Sequence, residues 1–268
     1  MADTVLYEVS DGLATITLNR PEAMNAVNVE AKVALRDAAR EAAADTGVRA
    51  ILLTAAGDRA FCVGQDLKEH IGLLKAQESG AGGGGVMSTV EEHYNPIVRA
   101  LVGAAKPVVA AVNGVAAGAG LGFALAADYR IVADTAAFNT SFAGVALTAD
   151  SGVSWTLPRV VGPSRAADLL LFPRSISAQQ AQEWGIANRL VPPAELRAEA
   201  EKVARSLAEG PTLAYAALKE SLAYGLSHSL DETLEKEEEL QTRAGLSEDH
   251  TIAVRAFVAK EKPTYLGR

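Results

Sequence analysis

The residues in this chain best suited to chemistry are glycines. In GVAAGAGLGFALAAD, residues 114–128, glycine stands at 114, 118, 120 and 122, ahead of an alanine-rich run of helical character. Glycine inside a helix costs roughly 0.5–1 kcal/mol relative to alanine, so either another group approaches this backbone closely or the chain turns. A dinucleotide fingerprint needs G-x-G-x-x-G; Gly118 and Gly120 fit, but Phe123 holds the third position and no acidic residue closes a second strand downstream. A phosphate loop needs Gly-Lys-Ser/Thr, and this turn has no lysine. An oxyanion site needs only free backbone N–H groups at a strand–turn–helix junction, aimed where an enolate oxygen develops. Glycines that merely let two elements pack closely remain the plain alternative.

A second glycine bend, AFCVGQDLKE at 60–69, sets Gly64 before Gln65 and Asp66 and runs into a helix. Two such turns, each preceded by a buried strand, could give one N–H apiece to a shared site. Asp150, in GVALTADSGVSWTLPR, precedes a helical run, so it reads as an N-cap, as a general base, or as both. Asp66 and Glu69 read as groups that pin the loop or face solvent. Lys32, Arg36 and Arg40 recur every four residues, a stripe that could grip a phosphate and otherwise forms a solvated helix face. His70, His93, His228 and His250 are scattered without metal-ligand spacing, so no metal site is expected. Cys62, the lone cysteine, excludes an intrachain disulfide and reads as a small core residue.

The elements that position these groups follow from pattern. The chain of 268 residues, 49% hydrophobic and 22% charged, is of ordinary globular composition, and its net charge of −8 repels nucleic acid. Its first residues carry no basic and apolar leader, which reads as cytoplasmic chain. Residues 108–127 are uncharged and as long as a membrane span, roughly 20 residues. The Asn113-Gly114 turn in their middle instead predicts strand, turn and helix, with no membrane partner. A hairpin around Asp11-Gly12 opens the chain, and a helix capped by Asn28 runs to about residue 45. Strands are expected at 49–55, 108–113, 129–134 and 187–192, with a helix from about 89 to 103. The glycine-rich segment 76–88 reads as a mobile surface excursion. Strand–helix alternation followed by a helical tail predicts an α/β core, residues 1–194, and a helical C-terminal subdomain, residues 195–268.

Five stretches, in order and over nearly the whole chain, resemble the crotonase superfamily, the enoyl-CoA hydratase/isomerase family. They are LNRPEAMNAV (18–27), AFCVGQDLKE (60–69), KPVVAAVNGVAAGAGLGFALAADYRI (106–131), LPRVVGPSRAADLL (157–170) and ISAQQAQEWGIANRLVP (176–192). The resemblance implies a spiral of ββα units, acyl-coenzyme A thioester substrates, no cofactor beyond the substrate's own coenzyme A, and homotrimers that commonly pair into hexamers. It implies oxyanion donors at the N–H groups of Gln65 and Ala119, beside Gly118. It lays Ala23, Met24, Ala26 and the Gln65-Asp66-Leu67-Lys68 stretch along the adenine and pantetheine arm. Lys262 would reach the phosphates of a neighbouring subunit's ligand.

Two departures matter. Family hydratases deliver water and proton with two glutamates, and the matching positions here are Gly122 and Phe142. Asp150 matches the catalytic aspartate of dienoyl-CoA isomerases. Its surroundings (Phe142, Ser151, Gly152, Ser154, Trp155, Arg159) resemble the phenylacetate-pathway epoxide isomerases and Δ3,Δ2-enoyl-CoA isomerases. The expected activity is a double-bond shift with Asp150 as the single base. Hydration through Asp150 and a water, nucleophilic attack by Asp150 on an aryl thioester as in related dehalogenases, and acyl-CoA binding without catalysis are the alternatives. Glu91, Glu92, His93 and Tyr94 are candidates to cap the acyl pocket.

Overall fold

The computed structural model describes residues 3–79 and 87–268; most of the glycine-rich segment, residues 80–86, lies outside the described residues. Strands β1 (Val5–Ser10) and β2 (Leu13–Leu18) pair antiparallel around Asp11-Gly12, both residues at positive φ as a two-residue hairpin turn requires. Asn28 caps α1 (Val29–Ala44), its side chain accepting the N–H of Ala31 at 2.9 Å.

From there strands arrive in pairs, one for each of two sheets. β3 (Ala50–Ala55) and β4 (Ala60–Cys62) precede α2 (Leu67–Glu78). A single π-helical turn, Val90–Tyr94, leads into α3 (Asn95–Val102), where the sequence predicts one uniform helix. The pattern repeats with β5 (Val108–Val112), β6 (Val115–Ala117) and α4 (Ala119–Leu125). It repeats again with β7 (Tyr129–Ala133), β8 (Ala137–Asn139), α5 (Val153–Val161) and α6 (Pro163–Leu171). β9 (Ile176–Ser177), α7 (Ala178–Glu183) and β10 (Arg189–Val191) complete the core.

One sheet has the order β1-β2-β3-β5-β7-β10, parallel from β2 onward; the other has the order β4-β6-β8-β9, parallel except at β9. This is the expected spiral of ββα units. Every residue of β3 and β5 is buried, as strands covered on both faces must be. The uncharged stretch 108–127 is therefore two strands and a short helix in different layers. Among the described residues no helix is long and apolar enough to cross a membrane.

The helical tail divides by what it packs on. α8 (Leu196–Ala208) lies on β3, β5 and β7, while α9 (Thr212–Gly225), α10 (Leu230–Gly245) and α11 (Glu248–Ala259) pack in sequence on one another. Arg49 ties this tail to the core, donating to the carbonyls of Gly210 at 2.6 Å and Tyr265 at 2.9 Å and to Thr212 Oγ1 at 3.1 Å.

Candidate active site

The bend after β4 is held from one side. Val27 N–H donates to the Gly64 carbonyl at 2.8 Å, and Asp66 N–H donates to the Val27 carbonyl at 3.1 Å. A parallel ladder that bonds the residues flanking Gln65 turns the N–H of Gln65 itself to the opposite side. Gly64 sits at φ +86°, and a Cβ built on it would lie 3.2 Å from Ala119 N. The two glycine turns therefore meet.

The second turn closes β6. Gly118 adopts φ 53° and ψ −124°, a conformation that a side chain strongly disfavours, and its N–H donates to the Asn139 carbonyl at 3.1 Å. The chain enters α4 at Ala119, whose N–H belongs to the first turn and has no intrahelical acceptor. Among the described residues neither Gln65 N–H nor Ala119 N–H has an acceptor. Close packing is also part of why the glycines are there: a Cβ on Gly120 would collide with the Cys62 carbonyl. Burial of Cys62 pushes its thiol up to about 12, so it stays protonated and inert.

Gln65 and Ala119 both line a cavity of about 450 Å³ whose walls include Tyr94, Phe142, Leu147 and Asp150. Asp150 is half-buried, and Ser151 Oγ donates to its Oδ1 at 2.8 Å. Burial raises the carboxyl above the ordinary aspartate value, and the Ser151 bond opposes that rise only in part. The cap expected of Asp150 is absent: Gly152 is the N-cap of α5 and no side chain caps that helix, so the carboxylate is left for the cavity. Ser151 and Gly152, at φ 49° and 74°, form the left-handed pair that turns it there.

The two positions of the family's hydratase glutamates are closed. A Cβ on Gly122 would lie 2.5 Å from both Cβ and the carbonyl oxygen of Ser151. Phe142 is buried in the cavity wall.

Of the other expected site residues, Ala26 and Leu67 line the cavity, while Ala23 and Met24 are half-buried in the turn beside it. Asp66 serves as the cap of α2, accepting N–H bonds from Lys68 and Glu69, and pairs with Arg20 at 2.9 Å. Burial alone would raise its carboxyl, but the Arg20 guanidinium and these N–H groups hold it below the ordinary range. Glu69 pins the start of α1, accepting Val29 N–H at 2.9 Å. Lys68 is exposed, and Lys262 is exposed in the C-terminal tail, 4.0 Å from Glu209 and apart from the cavity lining. Glu91 and Glu92 face solvent, whereas Tyr94 lines the cavity and His93 is buried behind it.

Lys32 departs from both of its sequence expectations. It is neither a phosphate grip nor part of a solvated face, for it has no exposed surface. Its Nζ donates to Gln65 Oε1 at 3.0 Å and to Thr89 Oγ1 at 2.9 Å, and Tyr94 OH donates to the same Gln65 oxygen. Its spacing from Leu35 and Ala39, three and seven residues on, puts it on the buried stripe of α1 and was the available signal. Among the described residues no His/Cys/Asp/Glu group could hold a metal ion.

The family model for enoyl-CoA hydratase/isomerase matches residues 8–268. The chain belongs to the enoyl-CoA hydratase/isomerase family. It is an acyl-CoA-processing enzyme of that family, with the crotonase fold. It is 40% identical over 268 residues to the 1,2-epoxyphenylacetyl-CoA isomerase of Escherichia coli (strain K12), covering 100% of both chains. It is 42% identical over 266 residues to a Rhodobacter capsulatus protein assigned as an enoyl-CoA hydratase, covering 99% of this chain and 98% of that one. A crystal structure from Mycobacterium abscessus, assigned to the enoyl-CoA hydratase/isomerases, superposes with a TM-score of 0.93 at 44% identity, covering 98% and 100%.

Proposed function

We propose that the site shifts a double bond along the acyl chain of a CoA thioester, with Asp150 as its one base. The observation that carries this is that half-buried Asp150 lines the same cavity as Gln65 and Ala119, whose N–H groups have no acceptor among the described residues, with no carboxylate at 122 or 142. The thioester carbonyl accepts hydrogen bonds from Gln65 and Ala119. Asp150 takes a proton from the carbon between carbonyl and double bond, and the C–H electron pair moves through the conjugated system onto the carbonyl oxygen as a dienolate. The same carboxyl then returns the proton at the far carbon, and the pair returns with it. A carboxyl raised by burial suits both steps better than an ordinary one, because its basicity lies nearer neutrality. The apolar walls exclude water, which favours return of the proton over hydration.

The coenzyme A arm runs past Ala23, Met24, Ala26 and the Gln65–Lys68 stretch, and no separate cofactor enters the scheme. The enzyme works in the cytoplasm as a homotrimer or hexamer. Supporting assembly, Leu222, Leu230, Leu246 and Phe257 of the helical tail are largely exposed, a large apolar surface for a monomer. Lys262, in that tail, reaches the phosphates bound by a neighbour. The domain boundary is drawn near residue 194; α8 just beyond it still packs on the spiral, so α9–α11 form the assembling part.

Hydration through Asp150 and a water is the second reading, favoured by the hydratase assignment of the Rhodobacter capsulatus relative. Turnover of a 3-enoyl-CoA against crotonyl-CoA separates the two: isomerisation predicts the 3-enoyl substrate by a wide margin. Full activity of Asp150→Asn on that substrate would sink the single-base proposal.

A further inference from the structure

Lys32 contributes no atom to the cavity surface, yet it is fully buried one residue away from it. A buried ammonium is an expensive way to fill a helix interface, and an apolar side chain of similar volume would often be as stable or more so. Its contacts explain what it does there. On its backbone side Gln65 is tied to Val27, through the residues flanking it. On its side-chain side, Oε1 is held by Lys32 from α1 and by Tyr94 from the π-helical turn. Lys32 is itself anchored on Thr89 Oγ1, which also contacts His93 Nδ1 at 3.2 Å, and it lies 5.6 Å from the centre of the Tyr94 ring. Burial lowers the lysine below its usual range, opposed by Glu69 and Asp66.

We propose that Lys32 is a positioning residue: acting through Gln65, it fixes the turn that presents one oxyanion N–H and sets positive charge behind it. This rests on the double-bond-shift reading only for its rate readout. The carbonyl polarisation of a bound thioester tests it separately.

Cinnamoyl-CoA serves as the probe, since N–H groups that draw electron density onto its carbonyl move its absorption to the red. Lys32→Met is expected to bind the probe with similar Kd but to lose most of the red shift. On a 3-enoyl-CoA its kcat should fall on the order of 10- to 100-fold, the scale of a small misplacement in an oriented site, with KM little changed. Lys32→Gln, which keeps one donor, should recover part of both. A purely structural lysine would instead lower Tm and leave kcat per folded molecule and the red shift as in the wild type; that outcome overturns the proposal. Should Lys32→Met not fold, Thr89→Val removes its anchor and Tyr94→Phe removes the companion donor. An intact red shift in Thr89→Val overturns the proposal equally, whatever Tyr94→Phe shows, and a reduced shift in Thr89→Val supports it. A wild type that shows the red shift but no isomerisation defeats the reaction reading and leaves Lys32 to be judged by the shift. A wild type that binds the probe without any shift overturns both.

Discussion

Gly122 of α4 and Ser151 of the turn before α5 are in backbone-level contact: a methyl group on Gly122 would sit 2.5 Å from both the Cβ and the carbonyl oxygen of Ser151. The turn that carries Asp150 thus occupies the space in which a hydratase of this family extends its first glutamate. A side chain at 122 and this path of residues 150–152 exclude one another, so the proposed base at 150 stands in place of a glutamate at 122. Gly122→Glu should therefore gain no activity on crotonyl-CoA and should lose activity on a 3-enoyl-CoA. Gly122→Ala should destabilise by about 1–3 kcal/mol, the usual cost of overpacking. Thermal melts and paired assays on the two substrates check this, and hydration by Gly122→Glu at wild-type stability would contradict it.

Asp150→Asn removes the base while keeping shape and the Ser151 bond. Turnover should fall by at least about 10²-fold, as loss of a positioned general base does, with thioester affinity retained. In the wild type kcat/KM should rise with pH through a midpoint above the ordinary aspartate value, because burial raises this carboxyl. Stability moves the opposite way. A carboxyl with a raised folded pKa binds its proton more tightly folded than unfolded, so its contribution is full below the unfolded value, ~3.9, and is lost as pH rises through the folded one. Asp150→Asn should accordingly raise Tm at pH 7 and bring no gain near pH 3. Equal Tm differences at both pH values would contradict the assignment.

Gly118 tests the oxyanion turn from the backbone. Nothing lies within 4 Å of a Cβ built there, so Gly118→Ala meets no clash and changes only the preference of φ 53°, ψ −124°. Holding a side chain in so sparsely populated a region costs on the order of 1–3 kcal/mol. Relaxation of that strain would swing Ala119 N–H off the carbonyl, and losing one such donor costs roughly 10²–10³ in kcat. Stopped-assay kinetics together with a denaturant melt measure both, and a variant destabilised but fully active would separate Ala119 from catalysis.

What the sequence made legible was what local chemistry determines. The Asp11-Gly12 hairpin, the Asn28 cap and the Asn113-Gly114 break all rest on residues within a few positions of one another, and each is present. β4, β6 and β8 are three residues long, too short for a period to register, so the second sheet was foreseen only through the family resemblance. The cap reading of Asp150 is a sound local alternative, undone by Gly152 taking that place two residues later. The four-residue spacing of Lys32 with Arg36 and Arg40 points to a charged stripe, whereas its alignment with Leu35 and Ala39 is what places it in the interior. Its partners, 33 and 57 residues away, are a tertiary fact.

Asp66 supplies the last test, because it holds the turn proposed to present the Gln65 N–H while lying outside the cavity lining. It caps α2 and pairs with Arg20, whose Nη1 also donates to the Ala26 carbonyl at 2.5 Å, so one carboxylate joins the two loops along which the coenzyme A arm is proposed to run. Asp66→Ala should cost about 1–2 kcal/mol, the usual loss of a cap, and should raise KM for acyl-CoA more than it lowers kcat. Its carboxyl is held below the ordinary range in the folded protein. Its contribution is therefore present above the unfolded value, ~3.9, and is lost as pH falls through the lower folded one. The Tm gap between wild type and Asp66→Ala should be wide at pH 7 and should close as pH falls below that unfolded value; a gap of constant width would show that the carboxylate's charge plays no part in holding the turn.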